Sequence, residues 1–197
     1  RSRGLGDVYK RQVYHTKEEM IDCVNTFYDG MVARSEEMKQ HPNYKTGENY
    51  AYLGLPPCFL IFDEYVAFFE MLATKESMSL LSQLKKIVML GRQAGYFLIV
   101  ACQRPDAKYF SDGIRDNFNF RVGLGRISEL GYGMLFGSDV KKQFFQKRIK
   151  GRGYCDVGTS VISEFYTPLV PKGHDFLQTI GRLAQKQQST QVQQEKE

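Results

Sequence analysis

The chain has 197 residues, 42% of them hydrophobic, and a formal net charge of +5. This composition suits one packed domain, and so mild a charge does not by itself indicate nucleic-acid binding. No apolar run approaches the roughly 18 residues that would indicate a membrane span, and no signal peptide is visible. The four cysteines are far apart and the three histidines are isolated, which argues against a disulfide framework or a zinc site.

The first part of the chain is predicted to be one long helix. Residues 1–12 have no periodicity, so we interpret them as a non-native leader and place the domain at residues 13–187. Thr16 and Glu19 have the spacing of a capping box, and the apolar residues that follow recur at helical spacing. We expect this amphipathic helix to end near Gln40, before a polar, tyrosine-rich loop.

Residues 58–64, CFLIFDE, combine a short apolar run with two adjacent carboxylates. The run predicts a fully buried strand in a parallel sheet. Ligands bind beyond the carboxyl ends of such strands, where Asp63 and Glu64 would lie. In nucleoside triphosphate hydrolysis, one carboxylate can hold Mg²⁺ and the next can orient or deprotonate the attacking water. The alternative is that the pair caps the next helix.

A second helix and a second strand follow. Residues 65–72 predict a short helix, residues 74–77 a polar break, and Leu80 begins an amphipathic helix that ends at Gly95. The apolar run after Gly95 predicts a buried strand, and Gln103 falls at the same rim as the two carboxylates. Gln103 has two interpretations, a contact with a γ-phosphate or local bonding to the backbone.

The rest of the chain is predicted to hold a third strand and an antiparallel hairpin. The predicted elements are a strand at 118–124, a helix at 128–136, a hairpin of 154–158 and 161–166, a helix at 174–187, and a disordered Gln-rich tail at 188–197. Helices that alternate with buried strands indicate an α/β fold with a largely parallel sheet and an antiparallel edge.

A basic cluster lies between the third strand and the hairpin. It contains Lys141, Lys142, Lys147, Arg148, Lys150 and Arg152 around two phenylalanines. If the chain binds DNA, this cluster is a candidate for electrostatic contact with the phosphates. The alternative is a solvated helix face with a packed aromatic stripe.

Four segments in order, FLIFDEY, GRQAGYFLIVACQRPDA, IRDNFNFRVGLGR and GRGYCDVG, resemble the motor domain of the FtsK/SpoIIIE family of DNA translocases. The resemblance is greatest to the coupling ATPases of Gram-positive conjugative elements and covers roughly residues 13–176. It implies a RecA-like P-loop NTPase core, a homo-hexameric ring around DNA, and ATP hydrolysis at subunit interfaces.

The resemblance also implies roles for single residues. It assigns Asp63 to Mg²⁺ and ATP, Glu64 to the catalytic base, and Gln103 to the sensor of the γ-phosphate. It makes Arg121 the candidate finger acting on a neighbouring subunit, a role that can contribute about 10³–10⁵ in kcat. Other arginines compete for that role, namely Arg92, Arg104, Arg115 and Arg126. The alternative for each is an ordinary surface ion pair.

The chain departs from the family pattern at one motif. It has no Gly-x-x-x-x-Gly-Lys-Ser/Thr phosphate loop, so we interpret it as a motor-domain fragment that lacks the phosphate-loop strand and predict that it neither binds nor hydrolyses ATP. The family's winged-helix domain is not recognisable after the motor segment. That favours DNA transfer in conjugation, with a relaxase as a further partner, in the cytoplasm and with the full-length parent anchored at the membrane.

Two other classes of function remain open. One is a non-catalytic module that contributes to assembly or binds DNA or relaxase. The other is an unrelated nuclease or phosphatase that uses Asp63 and Glu64 with a metal ion. Metal-dependent DNA cleavage without ATP would favour the second.

Overall fold

The structure, a computed structural model, describes residues 13–106, 108–110, 112–137, 149–159, 161–179 and 181–182. The predicted leader and Gln-rich tail lie outside these ranges. The elements are α1 (Lys17–Gln40), β1 (Cys58–Phe62), α2 (Tyr65–Glu70), α3 (Thr74–Ala94), β2 (Tyr96–Val100), α4 (Asp112–Arg115), β3 (Arg121–Leu124), α5 (Glu129–Phe136), β4 (Arg152–Asp156) and β5 (Ile162–Tyr166). No helix in the described ranges is long and apolar enough to cross a membrane.

The predicted capping box begins α1. The Thr16 hydroxyl accepts the Glu19 N–H at 3.3 Å, and the Glu19 carboxylate accepts the Thr16 N–H at 3.2 Å. The apolar side chains Val24, Met31 and Met38 are buried along one face of the helix. The capping and the amphipathic pattern predicted for this helix are therefore confirmed.

Helix α3 begins earlier than the sequence predicts. Residues 74–77, expected to form a polar break, are the first turn of the helix. The Glu76 carboxylate accepts the Ala73 N–H at 2.8 Å and also pairs with Lys17 at 2.8 Å. Polar residues suit this turn because its N–H groups have no partner within the helix. The helix ends where expected, at Gly95, whose φ is +77°.

Strands β1 and β2 form a two-stranded parallel sheet, with Cys58 opposite Tyr96 and Phe62 opposite Val100. Cys58, Leu60 and Tyr96 are buried in the main core with residues of α1 and α3. The prediction that β1 is buried on both faces is wrong, since Phe59 is 55% exposed and Ile61 is 66% exposed. In the described part of the chain, helices cover one face of this sheet.

A second sheet follows, with antiparallel order β3-β4-β5. The predicted hairpin is confirmed as β4 and β5. Helix α5 packs on this sheet through a small core of Tyr132, Phe136 and Tyr154. The expectation of a parallel sheet is thus met by β1 and β2, whereas β3 pairs antiparallel with β4. The predicted helix at 174–187 is helical at 176–179 and 181–182.

A buried arginine ties the amino-terminal ends of the first sheet to the helices. Arg34 of α1 is 4% exposed. Its guanidinium donates to the Pro56 carbonyl at 2.7 Å and the Ala94 carbonyl at 3.3 Å, and it lies 3.4 Å from the Cys58 sulfur. One side chain therefore links α1 to the start of β1 and the end of α3.

Candidate functional site

The carboxyl ends of β1 and β2 meet at one rim. The Ala101 N–H donates to the Phe62 carbonyl at 2.8 Å, and the Tyr65 N–H donates to the Ala101 carbonyl at 3.0 Å. Parallel pairing therefore continues past both strands to the first residue of α2. Asp63 and Glu64 follow β1 at this rim, and Gln103 follows β2.

Glu64 and Gln103 are in direct contact. The Gln103 backbone N–H donates to Glu64 Oε1 at 3.4 Å. Glu64 occupies the N-cap position of α2, but its side chain makes no capping hydrogen bond there. The alternative in which this glutamate caps the helix therefore fails, because its carboxylate faces the end of β2 instead. Asp63 is exposed and Glu64 is half-buried.

Cys102 is a fourth residue at the rim, and the sequence analysis did not identify it as part of the site. Burial raises the pKa of its half-buried thiol, and the nearby Glu64 carboxylate raises it further. The thiol therefore stays protonated and unreactive near neutral pH. The signal for this site was available, since Cys102 directly precedes Gln103, but an isolated cysteine has no diagnostic pattern.

Tyr65, the residue after Glu64, stabilises the rim from the core side. Its ring is 1% exposed, and its hydroxyl donates to the Tyr109 carbonyl at 3.2 Å. Burial raises the pKa of the Tyr65 phenol far above its usual range, so the hydroxyl remains a neutral donor. It thereby fixes α2 against the segment that follows Gln103.

The rim is compatible with Mg²⁺ bound together with a phosphate ligand. The described residues contain no cluster of three or more metal-ligating side chains, so an ion held entirely by protein is not indicated among them. Mg²⁺ usually binds through one or two carboxylates and completes its shell with phosphate oxygens and water. The exposed Asp63 carboxylate fits that requirement.

Arg121, the predicted finger, is half-buried and bonded within its own chain. Its Nε donates to the Phe118 carbonyl at 2.9 Å, and its Nη1 donates to the Leu135 carbonyl at 3.4 Å. These contacts connect β3 to the end of α5, and they give the side chain a structural role. Among the competitors, Arg92, Arg104 and Arg126 are exposed, whereas Arg115 pairs with Asp116 at 3.4 Å.

The basic cluster is described in part. Lys141, Lys142, Lys147 and Arg148 lie outside the described residues. Lys150 is exposed, as a phosphate contact requires. Arg152 is 7% exposed, and its guanidinium lies 5.6 Å from the centre of the Tyr154 ring. Burial of Arg152 at the start of β4 argues for packing rather than for contact with DNA.

Comparison with known proteins gives the family. No protein-family model matches the chain. The FtsK domain-containing protein YdcQ of Bacillus subtilis (strain 168) is 57% identical over 176 residues, a match that covers 89% of this chain and 36% of YdcQ. The chain belongs to the FtsK-domain proteins. The resemblance inferred from the four ordered segments is thereby confirmed.

Two solved structures share the fold of this FtsK-domain chain. The pCW3 conjugation coupling protein TcpA, solved as a monomer with ATPγS, gives a TM-score of 0.61 at 18% identity and covers 79% of this chain and 45% of its own. The cytoplasmic domain of the type VII secretion ATPase EccC from Thermomonospora curvata gives a TM-score of 0.57 at 20% identity, covering 83% of this chain and 19% of its own. At such identities the likeness shows the fold.

Proposed function

We propose that this chain carries the catalytic rim of an ATP-driven DNA translocase. The observation that supports the proposal most is the contact between Glu64 and Gln103 at the carboxyl ends of two parallel strands. In an FtsK-domain chain, these positions suit γ-phosphate chemistry. Metal ligands, a base and a sensor must lie within a few ångströms of one phosphate, and this rim brings their candidates together.

Each residue at the rim has a proposed role. Asp63 would hold Mg²⁺, which would supply charge stabilisation to the phosphate oxygens. Glu64 would orient the attacking water and accept its proton. Gln103 would contact the γ-phosphate through its side chain, while its backbone N–H holds the Glu64 carboxylate. Loss of the γ-phosphate would then change the contacts of Glu64, the base, and of Gln103, the sensor, together.

The proposed motor requires more than this chain. The chain spans 36% of the length of YdcQ, and its sequence contains no phosphate-loop motif. We therefore place the phosphate loop in another part of the full-length protein, where it would complete the RecA-like core. The Arg121 finger and the hexameric ring belong to the same proposal. The internal contacts of Arg121 make the exposed Arg104, next to Gln103, its strongest competitor.

The proposed substrate is DNA transferred in conjugation. TcpA is described as a conjugation coupling protein, and by analogy we place this protein between a relaxase-bound DNA and its transfer, on the cytoplasmic side of the membrane. Lys147, Arg148 and the exposed Lys150 are the proposed phosphate contacts. Reversal of the charge at Lys147 and Arg148 should lower the salt slope of DNA binding by about 0.9 per lost phosphate contact. An unchanged slope would remove this cluster from the proposal.

The test of the rim uses the full-length protein. Glu64→Gln should lower DNA-stimulated ATP hydrolysis by about 10²–10⁴ while ATP still binds, because only the base is lost. Asp63→Asn should raise the Mg²⁺ concentration required for hydrolysis. Glu70→Gln, an exposed carboxylate on α2, is the matched control and should leave the rate unchanged.

The same assay separates the motor from an assembly module. A module without catalytic function would show no ATP hydrolysis in the full-length protein, and Glu64→Gln would then change nothing. Equal rates for wild type and Glu64→Gln in an active preparation would also contradict the proposed base.

A further inference from the structure

The outward surfaces of α1 and α3 carry opposite charges. On α1, acidic residues spaced by one or two helical turns fall on the side opposite the core. This acidic stripe consists of the exposed residues Glu18, Asp22, Asp29 and Glu36. On α3, the corresponding basic stripe consists of Lys75, Lys85 and Arg92, with the methionines Met78 and Met89 between them, 68% and 53% exposed.

The two helices lie side by side and point in the same direction. Three contacts join them from one end to the other: Lys17 pairs with Glu76, Lys86 donates to the Tyr28 hydroxyl, and Arg34 donates to the Ala94 carbonyl. The last two contacts join residues 58 and 60 positions apart. Each residue of α1 is therefore level with the α3 residue about 59 positions later.

Most charges of the two stripes have no ion-pair partner of their own. The ion pairs that the described residues of these helices make are Lys17–Glu76 and Glu36–Lys39. With other described residues, Glu18, Asp22 and Asp29 make no ion pair, and neither do Lys75, Lys85 and Arg92. A surface with separate stripes of opposite charge is complementary to itself.

We propose that this helix layer binds a second copy of the chain, with the acidic stripe of each copy against the basic stripe of the other. Both stripes face away from the same sheet, so two copies can meet through their helix layers. A two-fold axis parallel to the helices then places α1 of each copy against α3 of the other, which gives two equivalent contacts. An axis across the helices would instead place acid on acid. The contact is isologous and closes at two copies.

The heights of the charges agree with this arrangement. With the helices parallel and level, Lys85 lies between Asp22 and Asp29 of the facing helix, and Arg92 lies between Asp29 and Glu36. Each separation along the axis is about 5 Å, because a helix rises about 1.5 Å per residue. Lysine and arginine side chains span that distance easily, so the stripes interleave without a shift.

The size of the layer indicates a weak and reversible dimer. Two adjacent helices, about 30 Å long and about 20 Å wide together, cover about 600 Å² per copy. The total of about 1,200 Å² is at the lower limit of specific interfaces. Met78 and Met89 provide apolar contact within the basic stripe, and Val32, 43% exposed, provides it beside the acidic one. Most of the attraction is electrostatic, so salt weakens it.

The test is sedimentation of the chain over a range of concentrations, without nucleotide or DNA. We expect a monomer–dimer equilibrium at low salt that shifts to monomer at about 0.5 M salt. Association through the exposed apolar face of β1 and β2 would not be weakened by salt. Either a monomer at every concentration or a dimer that persists at high salt overturns the proposal.

Charge-reversal variants make the test specific. Asp29→Lys and Lys85→Glu should each weaken the dimer by about tenfold or more, since symmetry places every like-charge contact in the interface twice. Mixing the two variants should restore the dimer, because the lysine introduced at position 29 of one copy then faces the glutamate introduced at position 85 of the other, while the second contact remains wild type. Glu70→Lys, which makes the same charge change on α2, should leave the dimer unchanged.

Two results of the mixing experiment would contradict the arrangement. Equal dimerisation of both single variants and wild type would remove the stripes from the interface. Assemblies of this chain that grow past two copies without nucleotide or DNA, and that Asp29→Lys or Lys85→Glu weakens, would show that the stripes make a head-to-tail contact in place of the two-fold one. Because Asp63, Glu64 and Gln103 take no part in this contact, failure of the dimer leaves the proposed catalytic rim untouched, and loss of ATP hydrolysis through Glu64→Gln leaves the dimer untouched.

Discussion

The Glu64 carboxylate accepts the backbone N–H of Gln103 at 3.4 Å, and it adds to the burial that raises the pKa of the Cys102 thiol. The carboxylate that follows β1 therefore interacts with two consecutive residues that follow β2. Any change in the charge of Glu64 should therefore alter its hydrogen bond with Gln103 and the pKa of Cys102.

The Cys102 thiol reports on that charge. Glu64→Gln removes the second cause of its raised pKa and leaves burial, the larger cause, in place. We expect alkylation of Cys102 by iodoacetamide near pH 8 to become faster, as the thiolate fraction rises. Peptide mass spectrometry measures the rate. Cys23, whose pKa is raised by burial and Asp22, serves as the internal control and should not change. An unchanged Cys102 rate would mean that the carboxylate points elsewhere.

Arg34 should be a major determinant of stability. Arg34→Met keeps the apolar stem but leaves the Pro56 and Ala94 carbonyls without their donor. We expect a loss of about 2–4 kcal/mol in the free energy of unfolding, because each unsatisfied buried group costs about 1–3 kcal/mol. Urea denaturation measures it. Arg92→Met, at an exposed position of the outer face of α3, should change stability by less than about 0.5 kcal/mol. Similar effects of the two variants would refute the role of the buried guanidinium.

Two glycines with the same backbone preference should differ in their tolerance of a side chain. Gly95 and Gly47 have φ values of +77° and +92°. A Cβ on Gly95 would lie 2.5 Å from Cγ of Tyr50, whereas nothing lies within 4 Å of the same atom on Gly47. Gly47→Ala should cost about 1 kcal/mol from backbone strain alone. Gly95→Ala should cost at least about 1 kcal/mol more from overpacking. Equal costs by thermal or urea unfolding would exclude the steric effect.

Tyr96 should contribute to alkaline unfolding. Burial raises the pKa of its phenol from 10.0 to about 12. The folded state therefore favours the neutral form, and this stabilisation is complete below pH 10 and is lost as the pH rises toward 12. Tyr96→Phe cannot ionise, so its stability should fall less than that of wild type across this window, as measured by denaturation at fixed pH values. Tyr52→Phe, at a position 53% exposed, should follow the wild-type curve. Parallel curves for wild type and Tyr96→Phe would contradict the prediction.

Local signals in the sequence predicted the elements that they control. The capping box of Thr16 and Glu19 and the terminal Gly95 define helix ends through backbone hydrogen bonding, so short motifs suffice to locate them. The apolar runs placed both strands of the first sheet, and their polar ends predicted that Glu64 and Gln103 share one rim. These predictions required only the local sequence and the rule that ligands bind beyond the carboxyl ends of parallel strands.

The remaining features depend on distant contacts. Periodicity does not reveal which face of a strand a helix will cover, so the exposure of Phe59 and Ile61 was missed. Arginines are normally solvated, so nothing marked Arg34 or Arg152 as buried until the carbonyls and the tyrosine ring that receive them were in place. The pKa of the Cys102 thiol is raised by burial and further by the Glu64 carboxylate, which follows the other strand of the sheet, so both causes come from the folded arrangement.

The first sheet lacks the usual protection against slippage. In most sheets a shift of one residue moves apolar side chains into solvent and is therefore costly. Here CFLIF and YFLIV are apolar on both faces. A pairing shifted by one residue would therefore bury Ile61 in place of Leu60, at little cost in hydrophobic burial. Two hydrogen bonds, one at each end of the sheet, fix the register instead. The Arg34 guanidinium donates to the Pro56 carbonyl, and the Tyr65 N–H donates to the Ala101 carbonyl. Since the Tyr65 contact immediately follows Glu64, the bond that prevents slippage also sets the height of the carboxylate above the sheet.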